Sequence, residues 1–274
     1  MTPSLLVEII ALCLLVGGAA GFLAGLFGIG GGMIMVAALA FALPLLGVPT
    51  AHVMHVALAT SLACIVLTAI ASTRAHARRG SVIWASVAWL APGLVCGGLL
   101  GAALAGALPD AWLRIGFAIY SFVVALLMFA AQAEPAGGAM VTPRGPLLTL
   151  FALPIGALSA LVGIGGGSML VPLLIRRGSN AVRAVGTSAA CGIVVALASA
   201  AGYVFAGNAT DAALPAGSIG FVHAPTALLL ALASTIAAPH GVHLAHRLDH
   251  RRLSRAFALL LCAVGIMMLV QIAR

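Results

Sequence analysis

Two copies of one glycine cluster lie inside long apolar runs: Phe27-Gly28-Ile29-Gly30-Gly31-Gly32-Met33 and Val162-Gly163-Ile164-Gly165-Gly166-Gly167-Ser168. Glycine lowers helix stability by roughly 1 kcal/mol per residue relative to alanine. Four glycines within five positions therefore interrupt a helix, and they do so at matching places in the two halves of the chain. The solvent around these interruptions follows from composition. The chain is 63% hydrophobic and 7% charged, whereas a soluble domain carries about 25% charged residues. Its mean hydropathy is +1.23. A chain with so few charges cannot cover itself with a water-compatible surface, which excludes a soluble enzyme and makes the lipid bilayer its medium.

A membrane-spanning helix needs about 20 predominantly apolar residues. The runs 4–27, 52–72, 82–108, 112–132, 182–206, 219–239 and 255–273 meet that requirement, and shorter apolar pieces remain at 33–46, 147–162 and 168–175. The stretch from Glu134-Pro135-Ala136-Gly137-Gly138 to Pro143-Arg144 reads as a linker. The expected organisation is a first transmembrane repeat over 1–133, a linker over 134–145 and a second repeat over 146–274. Each half presents the same order: apolar run, glycine cluster, short apolar piece, a helix with a Thr-Ser pair, then two more helices. The pairs are Thr60-Ser61 and Thr187-Ser188. The copies have diverged, since 29 residues separate Gly31 from Thr60 and 21 separate Gly166 from Thr187.

All 13 basic residues are arginine. They cluster at the ends of apolar runs, where basic residues mark the cytoplasmic side. Arg74, Arg78 and Arg79 follow the Thr-Ser helix of the first half, whereas Gly207-Asn208-Ala209-Thr210-Asp211 follows that of the second. The next loop reverses the bias: Leu108-Pro109-Asp110 carries no base, and 240–255 carries Arg247, Arg251, Arg252 and Arg255. Opposite charge bias in matching loops is what two copies inserted in opposite orientations show. The fold expected is an all-α polytopic membrane protein of two inverted-topology repeats, each with a glycine-rich broken or re-entrant helix. Arg144, Arg176 and Arg177 then fall inside, and both termini fall outside a bacterial inner (plasma) membrane. No Lys or Arg precedes the first apolar run and Glu8 lies within it, so that run is expected to be a retained helix rather than a signal peptide.

The N–H groups of a helix's first turn have no partner within the helix, and in lipid each unsatisfied group costs several kcal/mol. The macrodipole makes that end partly positive, so an anion is its natural partner. The backbone amides of Gly30, Gly31, Gly32, Gly165, Gly166 and Gly167 are accordingly expected to bind substrate. The hydroxyls of Thr60, Ser61, Ser168, Thr187 and Ser188 add uncharged donors. Arg183 lies four residues before Thr187, on the same helix face, and either draws an anion into the pathway or anchors the helix at the headgroups. Paired interruptions in the two halves of a membrane chain point to a transport site.

The same residues also have plainer readings. Small residues let membrane helices approach closely, and Gly97, Gly98, Gly101 and Gly106 are assigned to packing. Thr and Ser in membrane helices often bond their own backbone. No strand precedes either glycine cluster and no Gly-Lys-Ser/Thr ending follows, so neither nucleotide binding nor another cofactor is expected. Cys13, Cys64, Cys96, Cys191 and Cys262 form no disulfide or metal pattern. His240, His243, His246 and His250 stand among arginines and read as a solvated basic face rather than a metal site. No carboxylate lies near the centre of a span, which disfavours a cation or proton pump.

The runs Gly28-Ile29-Gly30-Gly31-Gly32 and Gly163-Ile164-Gly165-Gly166-Gly167-Ser168-Met169-Leu170-Val171-Pro172, with Ala57-Leu58-Ala59-Thr60-Ser61 and Ala184-Val185-Gly186-Thr187-Ser188, resemble the motifs of the sulfite exporter TauE/SafE family of membrane permeases. The resemblance extends over almost the whole chain. It departs at Ala37, where the second copy has Pro172. It implies transport of a sulfur-containing anion such as sulfite, thiosulfate or an organosulfonate. The residues themselves give a small anion at a central site between inverted repeats, carried by alternating access. A passive small-anion channel is the alternative. A membrane-embedded enzyme lacks paired carboxylates or a Ser/His/Asp set, and a scaffold in which glycines serve only packing would bind no anion. The partners expected are a small anionic substrate and the lipid bilayer, with no nucleic acid; homo-oligomerisation is left open.

Overall fold

The computed structural model describes residues 3–27, 31–130, 143–210, 212–245 and 250–272. Ten helices occur among them, and they follow the apolar runs. In the first half these are α1 (Pro3–Phe27), α2 (Gly32–Leu45), α3 (Val53–Arg78), α4 (Trp84–Ala107) and α5 (Asp110–Ala130). In the second they are α6 (Pro146–Val162), α7 (Gly167–Arg176), α8 (Ala181–Asn208), α9 (Ala224–Ala245) and α10 (His250–Ile272). A 3-10 turn, Thr50–His52, leads into α3.

Four helices are long and apolar enough to cross a membrane among the described residues: Thr50–Arg78, Trp84–Ala107, Asp110–Phe129 and Ala181–Asn208. By contrast, α7 has ten residues, a rise of about 15 Å at 1.5 Å per residue, half of a hydrocarbon core roughly 30 Å thick. Helix α2 has 14 residues and also falls short. Large apolar side chains such as Leu104, Ile119, Leu126, Leu150 and Phe205 point outward, which a lipid solvent permits. The chain is thus an all-α polytopic membrane protein, with a short helix following each glycine cluster.

One apolar run ends differently from its hydropathy. The span expected at 219–239 opens with a two-stranded antiparallel hairpin, β1 (Ser218–Ile219) and β2 (Val222–His223), and α9 starts only at Ala224. The hairpin lies hard against the end of α8: a Cβ on Gly220 would stand 2.3 Å from the Val204 carbonyl oxygen, and one on Gly207 2.3 Å from the Phe221 nitrogen.

Packing is reciprocal between the halves. Helix α1 lies along α9, and α6 lies along α4. Glycines make both approaches close. A Cβ on Gly21 would meet the Ser234 carbonyl of α9 at 2.2 Å, and one on Gly97 would meet the Leu153 carbonyl of α6 at 2.0 Å. Gly101 faces Ala157 of α6, Gly98 faces Ser199 of α8, and Gly106 faces Ala206 of α8. These four positions are packing positions, as their pattern predicts.

Helices α3 and α8 form the centre and run antiparallel. Gly186, near the start of α8, packs on His76 at the end of α3 and on Ser81 just beyond it. Gly207, at the far end of α8, packs on the hairpin that bonds to Thr60 near the start of α3. Of the four spanning helices, α3 is the most enclosed by protein.

Candidate functional site

The second glycine cluster makes two turns in quick succession. Gly163 takes a left-handed conformation (φ 71°) as the cap of α6. Its N–H donates to Ala160 O, and the Ile164 N–H donates to Ser159 O, a pattern that satisfies the last carbonyls of α6. Gly166, at φ 75°, then begins α7 with no side-chain cap. Both conformations strain any residue with a Cβ. Gly163, Ile164, Gly165, Gly166 and Gly167 are all buried. The N–H groups of Met169 and Leu170 donate to Gly166 O, while those of Gly165, Gly166, Gly167 and Ser168 have no acceptor among the described residues.

In the first cluster α2 starts at Gly32, after Gly31. Gly30 lies outside the described residues. Gly31 backs onto α1, where a Cβ would stand 2.2 Å from Ala20 O. Gly32 faces the other cluster: a Cβ there would stand 2.6 Å from Gly163 O and 3.2 Å from Ile164 Cα. The two interruptions therefore touch. Ser61 Oγ joins them, donating to Gly163 O at 2.9 Å, with Gly32 O at 3.4 Å. Beside this contact Gly165 approaches Ile65 of α3 and Gly192 of α8.

The threonines of the Thr-Ser pairs are engaged elsewhere, and symmetrically. Thr60 Oγ1 accepts the His223 N–H at 3.1 Å, ahead of α9. Thr187 Oγ1 accepts the Ile83 N–H at 3.0 Å, ahead of α4. Each hydroxyl from one half satisfies an orphan donor at a helix start of the other. Ser188 Oγ is buried and has no partner among the described residues. Arg183 is half-buried on the first turn of α8, where Asn180 caps its N–H. Gly192, at the level of the break, lies nine residues further along, about 14 Å at 1.5 Å per residue. The structure thus brings Gly32, Ser61, Gly163 and Gly165 together and sets Arg183 apart.

Three contributors escape the sequence pattern. Ser168 Oγ is hydrogen-bonded to Tyr120 OH of α5. The other tyrosine, Tyr203 of α8, donates to Ala160 O at 3.1 Å. Both tyrosines of the chain therefore reach the α6–α7 region. A phenol in an apolar span needs a partner for its hydroxyl, and that is the signal the sequence offered. The third is Ser159, buried on the last turns of α6, which carries no sequence signal beyond its polarity.

A separate polar cluster closes one end of the molecule. Asp110 Oδ1 accepts the Met54 N–H at 2.6 Å, Oδ2 pairs with Arg114 Nε, and Arg114 Nη1 donates to Gln271 Oε1. It borders a cleft of about 470 Å³ between α2, α5 and α10. Nearby, His55 Nε2 meets Leu108 O at 3.1 Å, and the His55 ring lies 5.0 Å from that of Phe221.

A helical membrane protein built around two touching helix interruptions has the architecture of a transporter. The chain belongs to the sulfite exporter TauE/SafE family, whose description matches residues 13–268. It is 33% identical over 263 residues to a probable membrane transporter protein of Haemophilus influenzae, covering 96% of this chain and 98% of that one. It is 28% identical over 266 residues to a probable membrane transporter protein of Methanocaldococcus jannaschii, covering 96% of each. A probable membrane transporter protein of Xylella fastidiosa is 31% identical over 58% of this chain and 60% of its own. No solved structure matches the chain. The protein is a membrane transporter of this family.

Proposed function

We propose that the protein carries a small sulfur-containing anion, such as sulfite, thiosulfate or an organosulfonate, across the inner membrane by alternating access. The observation that carries this reading is the meeting of the two interruptions at Gly32 and Gly163 under the Ser61 hydroxyl, with the amides of Gly165 to Ser168 left without acceptors beside it. Unpartnered amides at a helix start, enclosed within a membrane protein, are an anion site in waiting. The substrate class comes from the family name. The amides of Gly30, Gly31, Gly32, Gly165, Gly166 and Gly167 and the hydroxyls of Ser168 and Ser188 are the donors, and Ser61, whose proton goes to Gly163 O, acts by holding the two breaks together. Thr60 and Thr187 act through the helix starts that they hold, and Arg183 acts at the mouth of the pathway.

The reciprocal packing of α1 on α9 and α6 on α4 supports two repeats over 1–133 and 146–274, inserted in opposite senses. Rocking of one repeat against the other opens the Gly32–Gly163 contact towards one side at a time. The closeness of that contact favours a carrier over a pore. The test is flux of radiolabelled sulfite and thiosulfate into proteoliposomes. Saturable uptake accelerated by the same anion on the far side is expected for one of them. Linear flux without such acceleration points to a channel, and no flux of any sulfur anion overturns the substrate class.

A further inference from the structure

Ser159 is fully buried, yet its hydroxyl has no hydrogen-bond partner among the described residues. Native interiors seldom keep such a group without a use for it. Serines in membrane helices commonly bond a carbonyl of the preceding turn, and two other buried serines of this protein do so. Ser121 Oγ donates to Phe117 O at 2.8 Å and Ser234 Oγ to Ala231 O at 3.2 Å. Ser159 Oγ instead turns to the start of α7. It lies 3.2 Å from where a Cβ of Gly166 would stand, close beside the backbone that opens α7.

Around that helix start the donors accumulate. The N–H groups of Gly165, Gly166, Gly167 and Ser168 have no acceptor among the described residues. The Ser168 hydroxyl is held in place by Tyr120 OH, which reaches in from α5. Among the described residues no cationic side chain belongs to this group, and Arg183 is turns away along α8. A run of amides, a free hydroxyl and an oriented hydroxyl pair suit a guest with several negatively charged oxygens.

We propose that Ser159 is a substrate-contacting donor that, with the amides opening α7, holds the oxyanion at the second-half interruption, and that the Tyr120–Ser168 pair bounds the same site. The inference rests on the anion-carrier reading above and goes further. It assigns the anion to the α7 end of the paired break, makes its recognition depend on neutral donors alone, and gives roles to Ser159 and Tyr120.

The experiment is thermal unfolding of the purified full-length protein in detergent, with sodium sulfite and sodium thiosulfate titrated separately. A ligand that binds only the folded state raises the melting temperature. The Ser159→Ala variant is expected to melt no lower than the unmodified protein without anion, because it removes an unpartnered buried hydroxyl. Its affinity for the anion is expected to fall on the order of ten-fold or more, the effect of one lost hydrogen bond to a charged group. Ser159→Thr, which keeps the hydroxyl, retains affinity, and Ser121→Ala leaves it unchanged. Tyr120→Phe weakens binding. Equal affinity in the unmodified protein and Ser159→Ala overturns the proposal. So does a Ser159→Ala variant that melts far lower or does not fold, since its hydroxyl would then serve structure. If the unmodified protein responds to neither anion, the carrier reading itself fails, and this proposal fails with it.

Discussion

Ser61 Oγ donates to the carbonyl of Gly163, 102 residues away, at 2.9 Å, so one side chain of the first half closes the helix break of the second. Gly163 O is buried and has lost its place in the α6 ladder. Removing its donor leaves an unsatisfied buried acceptor, which costs about 1–3 kcal/mol. Ser61→Ala is expected to lower the melting temperature of the purified protein and to speed labelling of a cysteine placed at Gly165. Ser61→Thr keeps the hydroxyl and should restore both. Unchanged melting in Ser61→Ala would show that the contact holds nothing together.

Thr60 and Thr187 make matching bonds at opposite ends of the α3–α8 pair, to the His223 and Ile83 N–H groups. Thr60→Val and Thr187→Val each orphan one buried amide at nearly constant side-chain volume. Each is expected to destabilise the fold by about 1–3 kcal/mol, and the two effects should add, because distant sites without shared partners behave independently. Under alternating access each also biases the carrier towards opening at its own end. Accessibility of engineered cysteines near His223 and near Ile83 should therefore rise in opposite variants. A rise at both ends in either single variant would argue against separate clamps.

The glycines of the two clusters are expected to differ in what they tolerate. At Gly31 a Cβ would stand 2.2 Å from the Ala20 carbonyl, a backbone atom that cannot swing away, whereas at Gly166 the nearest neighbour is the Ser159 hydroxyl at 3.2 Å. Gly31→Ala therefore displaces α1 from α2. Gly166→Ala chiefly forces a left-handed conformation on a residue with a Cβ, at about 1–2 kcal/mol. Leucine at either position should abolish flux, and Gly18→Ala, with open space around it, should leave flux and melting alone. Normal flux in both leucine variants would remove the breaks from the transport site.

Asp110 and Arg114 form an ion pair with side chains only 12% and 10% exposed, so solvent screens it little. Asp110 also caps α3 through the Met54 N–H. Asp110→Ala leaves a buried guanidinium without its counter-charge, and breaking such a pair costs about 3–5 kcal/mol. A large fall in melting temperature is expected, with anion affinity unchanged in any protein that folds. A fall in affinity with normal melting would instead tie this cluster to the substrate.

Helix order was legible because hydrophobic run length is a direct readout of a lipid solvent. The short piece expected at 168–175 is α7, Gly167–Arg176. The hairpin before α9 was not legible, because Ile219, Phe221 and Val222 continue the apolar run, and hydropathy does not register the turn at Gly220 between two strands. The interruptions were legible from glycine alone, and so was the nearness of Ser61 to them. The partners of Thr60 and Thr187 were not, since a hydroxyl accepts as readily as it donates. Spacing along one helix cannot reveal an amide 163 or 104 residues away. Ser159 was invisible for a related reason: its lack of a partner is a property of the packed structure, not of its neighbours in sequence.

The antiparallel course of α3 and α8 places the end of α3 beside the start of α8, where Gly186 packs on His76 and Ser81. Arg74, Arg78 and Arg79 leave α3 at that end, and Arg176 and Arg177 precede α8 there. Both arginine groups thus gather on one side, and the bias of basic residues makes that side the one expected to face the cytoplasm. Thr210, beyond the far end of α8, falls on the other. In a cysteine-free background, a membrane-impermeant thiol reagent should label Thr210→Cys in intact cells and Arg79→Cys only after permeabilisation. A fluorescent reporter that matures only in the cytoplasm should stay dark when fused to Arg274. Reversed labelling would invert the whole molecule and keep the repeats. Labelling of both cysteines from one side would break the antiparallel pair at its centre, and with it the proposed inverted arrangement on which alternating access would depend.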